Sequence, residues 1–389
     1  MAANVVLPRH LHVGAGASRE LAPLLRQLGV RHPFIVTDPD MVRFNYLKSV
    51  TRGLDDAGIP YAVFDRTVPD PTVASVNDGV AELNAGDHDG VVALGGGSPM
   101  DSAKAIGHLA VYGGRMRDYK APTVSDVQAM PLVAIPTTAG TGSEATRFTV
   151  ITDEETEEKM LCPGAGFCPT AALVDYELTL TMPRRLTADT GVDTLTHAIE
   201  AYVSAKHNPF SDGMAQMTIT AVSRYLRTAY SQPDNHQARD GMMLAAMRGG
   251  MAFSNASVCL VHGMSRPIGA FFHVPHGLSN AMLLPAVTAF SIDAAPERYA
   301  DCARFMRVAE PDDPDRDACR KLLQELRQLN KDLDVPSPKD YGIDKERFFA
   351  VLPTMAEQAL ASGSPGNNPR IPTADEIVEI YRRAWDGSG

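Results

Sequence analysis

The 389-residue sequence changes character near Leu186, and this change constrains the fold more than any other feature. Before it, short runs rich in β-branched residues alternate with amphipathic helical segments. After it, long helical patterns follow one another with few strand candidates. Alternation of this kind is typical of a parallel sheet with crossover helices, whereas uninterrupted helical periodicity favours an all-α arrangement. We therefore predict an α/β domain over residues 1–185 and an all-helical domain over residues 186–389.

The individual elements follow from the same patterns. The predicted strands are His12–Val13, Pro33–Thr37, Tyr61–Phe64, Gly90–Leu94 and Leu132–Ile135. The predicted helices of the first half are Ser18–Leu28, Met41–Ala57, Val73–Ala85 and Ser98–His108. Those of the second half are Thr187–Ser204, Pro209–Ala229, Ala238–Asn255, Asp293–Met306, Pro314–Leu329 and Thr373–Trp385. Two segments, Pro311–Asp315 and Ser362–Pro369, are predicted to be surface loops because proline, glycine and polar residues dominate them.

Composition excludes several classes of protein. The net charge of -11, with no basic stripe, argues against nucleic acid as a partner, because its phosphates would be repelled. No apolar run is long enough to span a bilayer, and residues 1–8 lack the pattern of a signal peptide, so we expect no membrane partner and a cytoplasmic location. The five cysteines are irregularly spaced. A disulfide between Cys162 and Cys168 is conceivable, but free thiols are the expected state in the cytosol.

Four residues have the chemistry of a metal site. Asp193 and His197 are four apart in a helical stretch, so both side chains leave the same helix face one turn apart. His262 could supply a third ligand, and His276, between proline and glycine in a tight turn, a fourth. A single Asp/His pair at this spacing is weak evidence, but one carboxylate with three imidazoles suits Fe(II) or Zn(II).

A glycine-rich turn is the best candidate for binding a coenzyme. The segment from Gly90 to Lys104 reads as a strand, a triple-glycine turn and the start of a helix. Such a turn presents bare backbone N–H groups and a positive helix end to an anion, although glycine also simply makes tight turns. A second loop, Pro136 to Glu144, also follows a strand and is rich in hydroxyl groups and glycine. It reads as a coenzyme-lining loop or an ordinary Ser/Thr turn.

Asp38 ends the strand that begins at Pro33 and should project at the carboxyl edge of the sheet, where nucleotides bind in open parallel sheets. Its charge would accept ribose hydroxyls and repel a 2′-phosphate, which predicts NAD(H) rather than NADP(H). A plain helix-capping aspartate is the alternative interpretation.

The strings Asp193-Thr-Leu-Thr-His-Ala-Ile-Glu200, His262-Gly-Met-Ser265 and Pro275-His-Gly-Leu-Ser-Asn-Ala-Met-Leu-Leu-Pro285 resemble signatures of the iron-containing, or group III, alcohol dehydrogenases. The resemblance implies their two-domain fold, similar to that of dehydroquinate synthase, with residues 1–185 as an α/β dinucleotide-binding domain and residues 186–389 as an all-helical metal-binding domain. It also implies the coenzyme contacts. Gly96, Gly97, Ser98 and Asp101 match the family's pyrophosphate loop, which Lys104 completes. The other contacts carried over are Thr137, Thr138, Thr141, Ser143, Lys159 and Leu186, the last beside the nicotinamide.

The resemblance further implies an NAD(H)-linked alcohol dehydrogenase or aldehyde reductase with one divalent metal, Fe(II) with Zn(II) as the alternative. In such an enzyme the metal acts as a Lewis acid on the substrate oxygen. The partners implied are a small alcohol or aldehyde and further copies of the chain, in a homodimer or larger homo-oligomer. A dehydroquinate-synthase-like lyase is a distant alternative, because the basic residues that would bind a sugar phosphate are not evident.

Arg266 departs from the family pattern, in which a histidine assigned to proton relay follows the third metal ligand by four residues. An arginine cannot shuttle a proton, but its fork pairs well with carboxylate, sulfonate or phosphonate. Arg266 therefore recognises an acidic tail on the substrate or forms an internal salt bridge, for example with Asp189 or Glu200. In the second case the substrate would be a neutral short alcohol or diol.

His273 is the remaining candidate for proton relay, or else a pocket-wall residue. Asp70 stands where relatives commonly carry asparagine.

Overall fold

The computed structural model describes residues 3–156 and 158–387. The chain forms two compact units, one of Val6–Thr181 and one of Met182–Gly389 together with Met1–Val5.

The unit Val6–Thr181 contains a six-stranded sheet and a two-stranded hairpin in its described part. The strands are β1 (His10–Val13), β2 (Pro33–Val36), β3 (Ala62–Phe64), β4 (Gly90–Gly95), β5 (Leu132–Pro136), β6 (Phe148–Asp153), β7 (Glu158–Pro163) and β8 (Ala171–Val174). The helices are α1 (Leu21–Leu28), α2 (Pro39–Arg43), α3 (Tyr46–Ala57), α4 (Val73–Asn84) and α5 (Gly97–Tyr112).

The large sheet is parallel throughout, in the order β1-β8-β5-β4-β2-β3. Its central strands β4 and β5 are buried at every residue, as their continuous apolar sequences require for strands covered on both faces. This order places the carboxyl ends of β2, β4 and β5 side by side. The segments that follow them, beginning at Asp38, Gly96 and Thr137, therefore meet at one edge of the sheet.

The unit Met182–Gly389 is helical in its described part. The helices are α6 (Arg184–Val203), α7 (Pro209–Ser231), α8 (His236–Ala256), α9 (Leu260–Phe272), α10 (His276–Ser291), α11 (Pro296–Phe305), α12 (Asp315–Asp332), α13 (Lys345–Ala361) and α14 (Ala374–Ala384). Taken alone, none of the described helices is both long and apolar enough to cross a membrane. The bent pair α8 and α9 satisfies that criterion jointly, by length and composition only.

Helix α6 lies at the centre of this unit, packed against α7, α8 and α10, and 16 of its 20 residues are buried. All four threonines of α6 satisfy their hydroxyls locally, since each donates to the carbonyl four residues earlier. Asp193, His197 and Glu200 are larger polar side chains buried on the same helix. Their burial therefore obliges them to find polar partners on neighbouring helices or a bound ion.

Several sequence predictions were wrong in detail. The single helix predicted over Met41–Ala57 is two helices, because Asn45 takes a left-handed conformation (φ 62) that ends α2. The helix predicted from Asp293 begins as an α-helix only at Pro296. The hairpin β6–β7, strand β8 and helices α9, α10 and α13 were not predicted. Each of these three helices contains an internal proline, which obscured its periodicity.

The prediction of a surface loop at Ser362–Pro369 was also wrong. Ser364–Asn367 forms a 3-10 turn in which Ser364, Pro365 and Asn367 are buried. The amide of Asn367 donates to Ser257 Oγ and to the Val258 carbonyl, so side-chain hydrogen bonds replace the solvent that a loop of this composition normally requires. All five cysteines are free thiols, as expected.

Candidate metal centre and coenzyme-binding loops

The structure brings the four predicted metal ligands together. Asp193 and His197 project from adjacent turns of α6, His262 comes from α9, and His276 is the first residue of α10. One ligand atom from each lies within 4.8 Å of all the others. Asp193 Oδ1 is 3.8 Å from His197 Nε2, 3.5 Å from His262 Nε2 and 3.9 Å from His276 Nε2. Three of the side chains are buried, whereas that of His276 is 44% exposed.

This arrangement fits a single divalent ion. Ligand atoms about 2.1 Å from a tetrahedral ion lie about 3.4 Å apart, slightly closer than the distances to Asp193 Oδ1. The side-chain amide of Asn280 marks the point where the ligands converge. Its Nδ2 is 2.6 Å from Asp193 Oδ1 and 3.2 Å from Nε2 of both His262 and His276. Its buried Oδ1 has no hydrogen-bond partner among the residues that the structure describes.

Glu200 fixes the orientation of His262. One carboxylate oxygen accepts from His262 Nδ1 at 2.6 Å, and the other accepts from the backbone N–H of Val261, also at 2.6 Å. A donor hydrogen on Nδ1 leaves the Nε2 lone pair directed at the cluster, which is the tautomer that an ion requires. Burial lowers the pKa of His262, but Glu200 and Asp193 outweigh this and raise it to about 9. Burial likewise raises the pKa of Asp193, but the three imidazoles outweigh it and lower it overall.

Sequence reasoning missed Glu200 and Asn280 as members of the site. Glu200 lies seven residues after Asp193 on α6, and so on the same helix face, which was an available signal. In the sequence analysis Glu200 was considered only as a salt-bridge partner for Arg266. Asn280 is four residues after His276 on α10, a spacing that also places the two side chains on one face.

We predict that Glu200→Gln lowers the affinity for a divalent ion about 10- to 100-fold, the usual effect of removing the hydrogen-bond partner of a metal-bound histidine. A chelator competition with Zn(II) measures it. Glu325→Gln is the matched control, because Glu325 is a partly buried glutamate of the same unit that pairs with Arg227 instead. His262→Ala gives the reference for loss of a ligand. Equal affinities of Glu200→Gln and wild type would contradict the role given to Glu200.

The glycine turn after β4 packs closely against the second loop. Gly95 has φ 142, and a Cβ on it would lie 2.7 Å from Pro99, so no other residue fits this position. A Cβ on Gly97 would lie 3.0 Å from the Thr141 methyl group, and one on Gly96 would lie 3.4 Å from that of Thr138. The first turn of α5 has no side-chain cap. Its N–H groups, those of Gly97 and Ser98 among them, thus form a helix terminus suited to a phosphate.

Asp101 and Ser143, predicted to contact the coenzyme, are engaged within the protein. Ser143 Oγ donates to Asp101 at 3.0 Å and accepts from the buried Lys104 ammonium at 2.9 Å. Asp101 also accepts from the backbone N–H of Val150, and Lys104 donates to the carbonyl and hydroxyl of Thr146. This network ties the second loop and β6 to α5. Through these bonds Asp101 and Ser143 hold the second loop in place, and their contacts with a coenzyme stay predictions.

The structure shows Asp38 as a helix cap, and its contact with a ribose stays a prediction. Its Oδ1 accepts from the backbone N–H groups of Asp40 and Met41, so it caps α2. Its Oδ2 faces the glycine turn, 3.3 Å from where a Cβ on Gly95 would stand, and accepts no hydrogen bond from the described residues. Burial raises the pKa of Asp38, opposed by the two capping N–H groups.

The remaining coenzyme candidates are distributed over both units. Thr137 is buried and its N–H donates to the Gly95 carbonyl, which joins β5 to the glycine turn. Lys159 on β7 pairs with Asp70 at 2.8 Å, so the carboxylate that replaces the family's usual asparagine holds this lysine. Leu186 is exposed near the start of α6. These contacts with a coenzyme stay predictions.

Glu144, within the second loop, is buried with 2% of its surface exposed. Burial raises the pKa of its carboxyl group to about 7, opposed by its own backbone N–H and by Lys104. The folded protein therefore retains a proton that the unfolded chain releases between about pH 4.5 and pH 7. Stability must fall as the pH rises through that window and stay reduced above it.

We predict that Glu144→Gln stabilises the protein at pH 8 by about 3 kcal/mol relative to its effect at pH 4, since the amide needs no deprotonation. Urea unfolding of the mutant and wild type across this pH range measures the difference. The exposed Glu155→Gln is the control and should change stability by less than about 0.5 kcal/mol at any pH. A difference between Glu144→Gln and wild type that does not grow with pH would contradict the prediction.

Arg266 and His273 both belong to α9. Arg266 is half-buried, and its Nη1 donates to Ser364 Oγ at 3.2 Å. Burial lowers its pKa, opposed by Glu200. The predicted salt bridge to Asp189 or Glu200 does not form, because no carboxylate among the described residues lies within 4.0 Å of its guanidinium and Asp189 pairs with Arg185. His273 is exposed at the end of α9 with φ 53, and no hydrogen bond or ring contact joins it to the metal ligands within the described ranges.

Comparison with known proteins identifies the family of the chain. Residues 8–176 match the family model of iron-containing alcohol dehydrogenase, and residues 187–385 match that of the C-terminal domain of the Fe-containing alcohol dehydrogenase family. Lactaldehyde reductase of Escherichia coli (strain K12) is 36% identical over 388 residues, which cover 99% of this chain and 100% of that protein.

The NADPH-dependent butanol dehydrogenase of Clostridium saccharobutylicum is 36% identical over 98% of both proteins. The crystal structure of a 1,3-propanediol oxidoreductase superposes with a TM-score of 0.95 at 35% identity, covering 99% of this chain and 100% of that one. The chain belongs to the iron-containing alcohol dehydrogenase family. The predictions of family, fold class and enzyme class are thereby confirmed.

Proposed function

We propose that this enzyme interconverts a short primary alcohol and its aldehyde, using NAD(H) and one divalent ion, Fe(II) in the first instance and Zn(II) as the alternative. The observation that carries the proposal is the convergence of Asp193, His197, His262 and His276 on one point. The relatives named above act on lactaldehyde, butanol and 1,3-propanediol, which are small molecules with a primary alcohol or aldehyde group.

The chain's own residues bind and orient the reacting groups. Bound to the four ligands, a divalent ion would supply a Lewis acid for the substrate oxygen, while the dinucleotide would donate or accept the hydride. Glu200 keeps the Nε2 lone pair of His262 available for the ion. The N-terminus of α5 and the adjacent glycine turn would bind the diphosphate, and Oδ2 of Asp38 would accept from a ribose hydroxyl. His273, exposed at the end of α9, is the residue we propose for exchanging the alcohol proton with solvent.

Assembly and location also belong to this proposal. We expect a homodimer or a larger homo-oligomer in the cytoplasm, with no nucleic acid or membrane partner. Size-exclusion chromatography with light scattering of the purified protein would determine the number of copies.

The central test is reconstitution. We expect the metal-stripped protein to oxidise NADH with short aldehydes only after Fe(II) or Zn(II) is added. His197→Ala and His262→Ala should lose both bound ion and activity, because each removes one of four ligands. His207→Ala is the control, since His207 is a surface histidine of the same unit paired with Asp212. Full activity of either ligand variant would disprove the metal site.

The coenzyme preference has its own test. Asp38→Asn keeps an oxygen that can cap α2 but removes the charge, so the ratio of kcat/KM for NADPH to that for NADH should rise about 10-fold or more. Asp38→Gly should show the same shift with lower stability. Asp40→Asn is the control, because Asp40 carries an exposed charge two residues away that pairs with Arg43. A wild-type enzyme that already prefers NADPH would overturn the interpretation of Asp38.

A further inference from the structure

No carboxylate in the part of the chain that the structure describes forms an ion pair with Arg266. A guanidinium has five N–H donors, and in the described part of the chain only one contact uses them, the hydrogen bond from Nη1 to Ser364 Oγ. Ser364 is neutral, so this bond orients the guanidinium without neutralising it. A half-buried arginine normally pairs with a carboxylate, because its positive charge is costly to remove from water.

The carboxylates considered as partners for Arg266 are bound to other groups. Glu200 accepts from His262 Nδ1 with one oxygen and from the Val261 N–H with the other. Asp189 is bound by Arg185, and Asp193 is surrounded by the other metal ligands and Asn280. The charge of Glu200 does favour the cationic form of Arg266, but at a distance greater than an ion pair.

Arg266 lies close to the metal ligands. It follows His262 by one turn of α9, which places the two Cβ atoms about 6 Å apart on one helix face. A small molecule with its oxygen at the ligand cluster therefore needs only a few bonds to reach the guanidinium.

The charge balance of the site favours an anion. With a divalent ion bound, the histidine ligands are neutral, and Asp193 and Glu200 supply two negative charges. The ion is then balanced and the charge of Arg266 remains. A substrate with a single negative charge would bring this region to neutrality, whereas a neutral alcohol would leave the arginine unpaired.

We propose that Arg266, oriented by Ser364, forms a subsite for an anionic group at the far end of the substrate. The substrate class is then a short aldehyde or primary alcohol that ends in a carboxylate, sulfonate or phosphonate, such as a hydroxy acid of two to four carbons. The planar fork binds two oxygens of such a group at once, which a lysine or histidine at this position would not do. The inference rests on the proposed function, since it assigns the substrate of that same site.

The experiment compares substrates that differ only at the far end. The pairs are 3-hydroxypropionate with 1,3-propanediol and 4-hydroxybutyrate with 1,4-butanediol, assayed by NADH formation with the Zn(II)- or Fe(II)-loaded enzyme. We expect wild type to prefer the acids. Arg266→Gln should lower kcat/KM for the acids about 10- to 1000-fold, the loss of a charge-assisted pair, and change that for the diols less than threefold. Ser364→Ala should give a smaller loss, again confined to the acids.

Binding supplies a second readout that does not depend on turnover. Calorimetric titration of the Zn(II)-loaded protein with 2-hydroxyethanesulfonate should show binding in wild type that weakens at least 10-fold in Arg266→Gln. The sulfonate is a poor metal ligand, which separates the arginine from direct coordination. Arg266→Lys should retain part of the affinity because the charge remains. Arg248→Gln is the matched control, since Arg248 is another half-buried arginine of the same unit, on α8.

The outcomes separate the two proposals. Equal losses on acids and diols in Arg266→Gln, with an unchanged melting temperature, would make Arg266 structural and overturn the subsite. A wild type that prefers diols and binds no sulfonate would overturn it as well, while leaving the proposed dehydrogenase activity intact. Failure of the loaded enzyme to turn over either class would instead count against the proposed function. In that case sulfonate binding that depends on Arg266 would still support the subsite.

Discussion

The helical unit depends on the burial of polar side chains along one central helix. Helix α6 is covered on almost every side, yet it carries Asp193, His197 and Glu200 into the interior. A buried carboxylate is tolerated only where donors or cations surround it. Helices α9 and α10 supply them, through His262, His276 and Asn280. The polar contacts that form the site therefore also stabilise the packing of these helices. A helix that moved its polar group away would leave an uncompensated charge in the core.

In the α/β unit the main constraint is different. Two backbone segments must lie close together at the place where we propose that both contact one ligand. The glycines after β4 leave room for the threonines of the loop after β5, and the Lys104–Ser143–Asp101 network holds that loop from beneath. Small residues at the surface and a buried polar network below them have complementary roles. The small residues leave room for the phosphate that we propose to bind at the backbone N–H groups, and the polar network keeps those groups from moving apart.

The sequence predicted what is encoded locally. Asp193 and His197 were recognisable from their helical spacing, the glycine turn from its composition, and the sheet from alternating apolar runs. Glu200 and Asn280 lie at helical spacing from Asp193 and His276, a signal that was available but not used. The role of Ser364 was missed because it depends on which segments pack together, and nothing in the local sequence specifies that. The segment Ser362–Pro369 has the composition of an exposed loop, and tertiary hydrogen bonds from Asn367 and Asn368 allow part of it to be buried. Arg266 is intermediate: its departure from the family was visible, but its lack of a carboxylate partner was not.

The four metal ligands are not equally accessible to solvent. The side chains of Asp193, His197 and His262 are at most 5% exposed, whereas that of His276 is 44% exposed. A competing water molecule or chelator can therefore displace His276 while the other three ligands still hold their positions. Exchange of the ion should be stepwise and should begin at the N-terminus of α10. The rate at which the enzyme loses or acquires its metal is then governed by how firmly one helix end is seated, independently of how tightly the complete site binds.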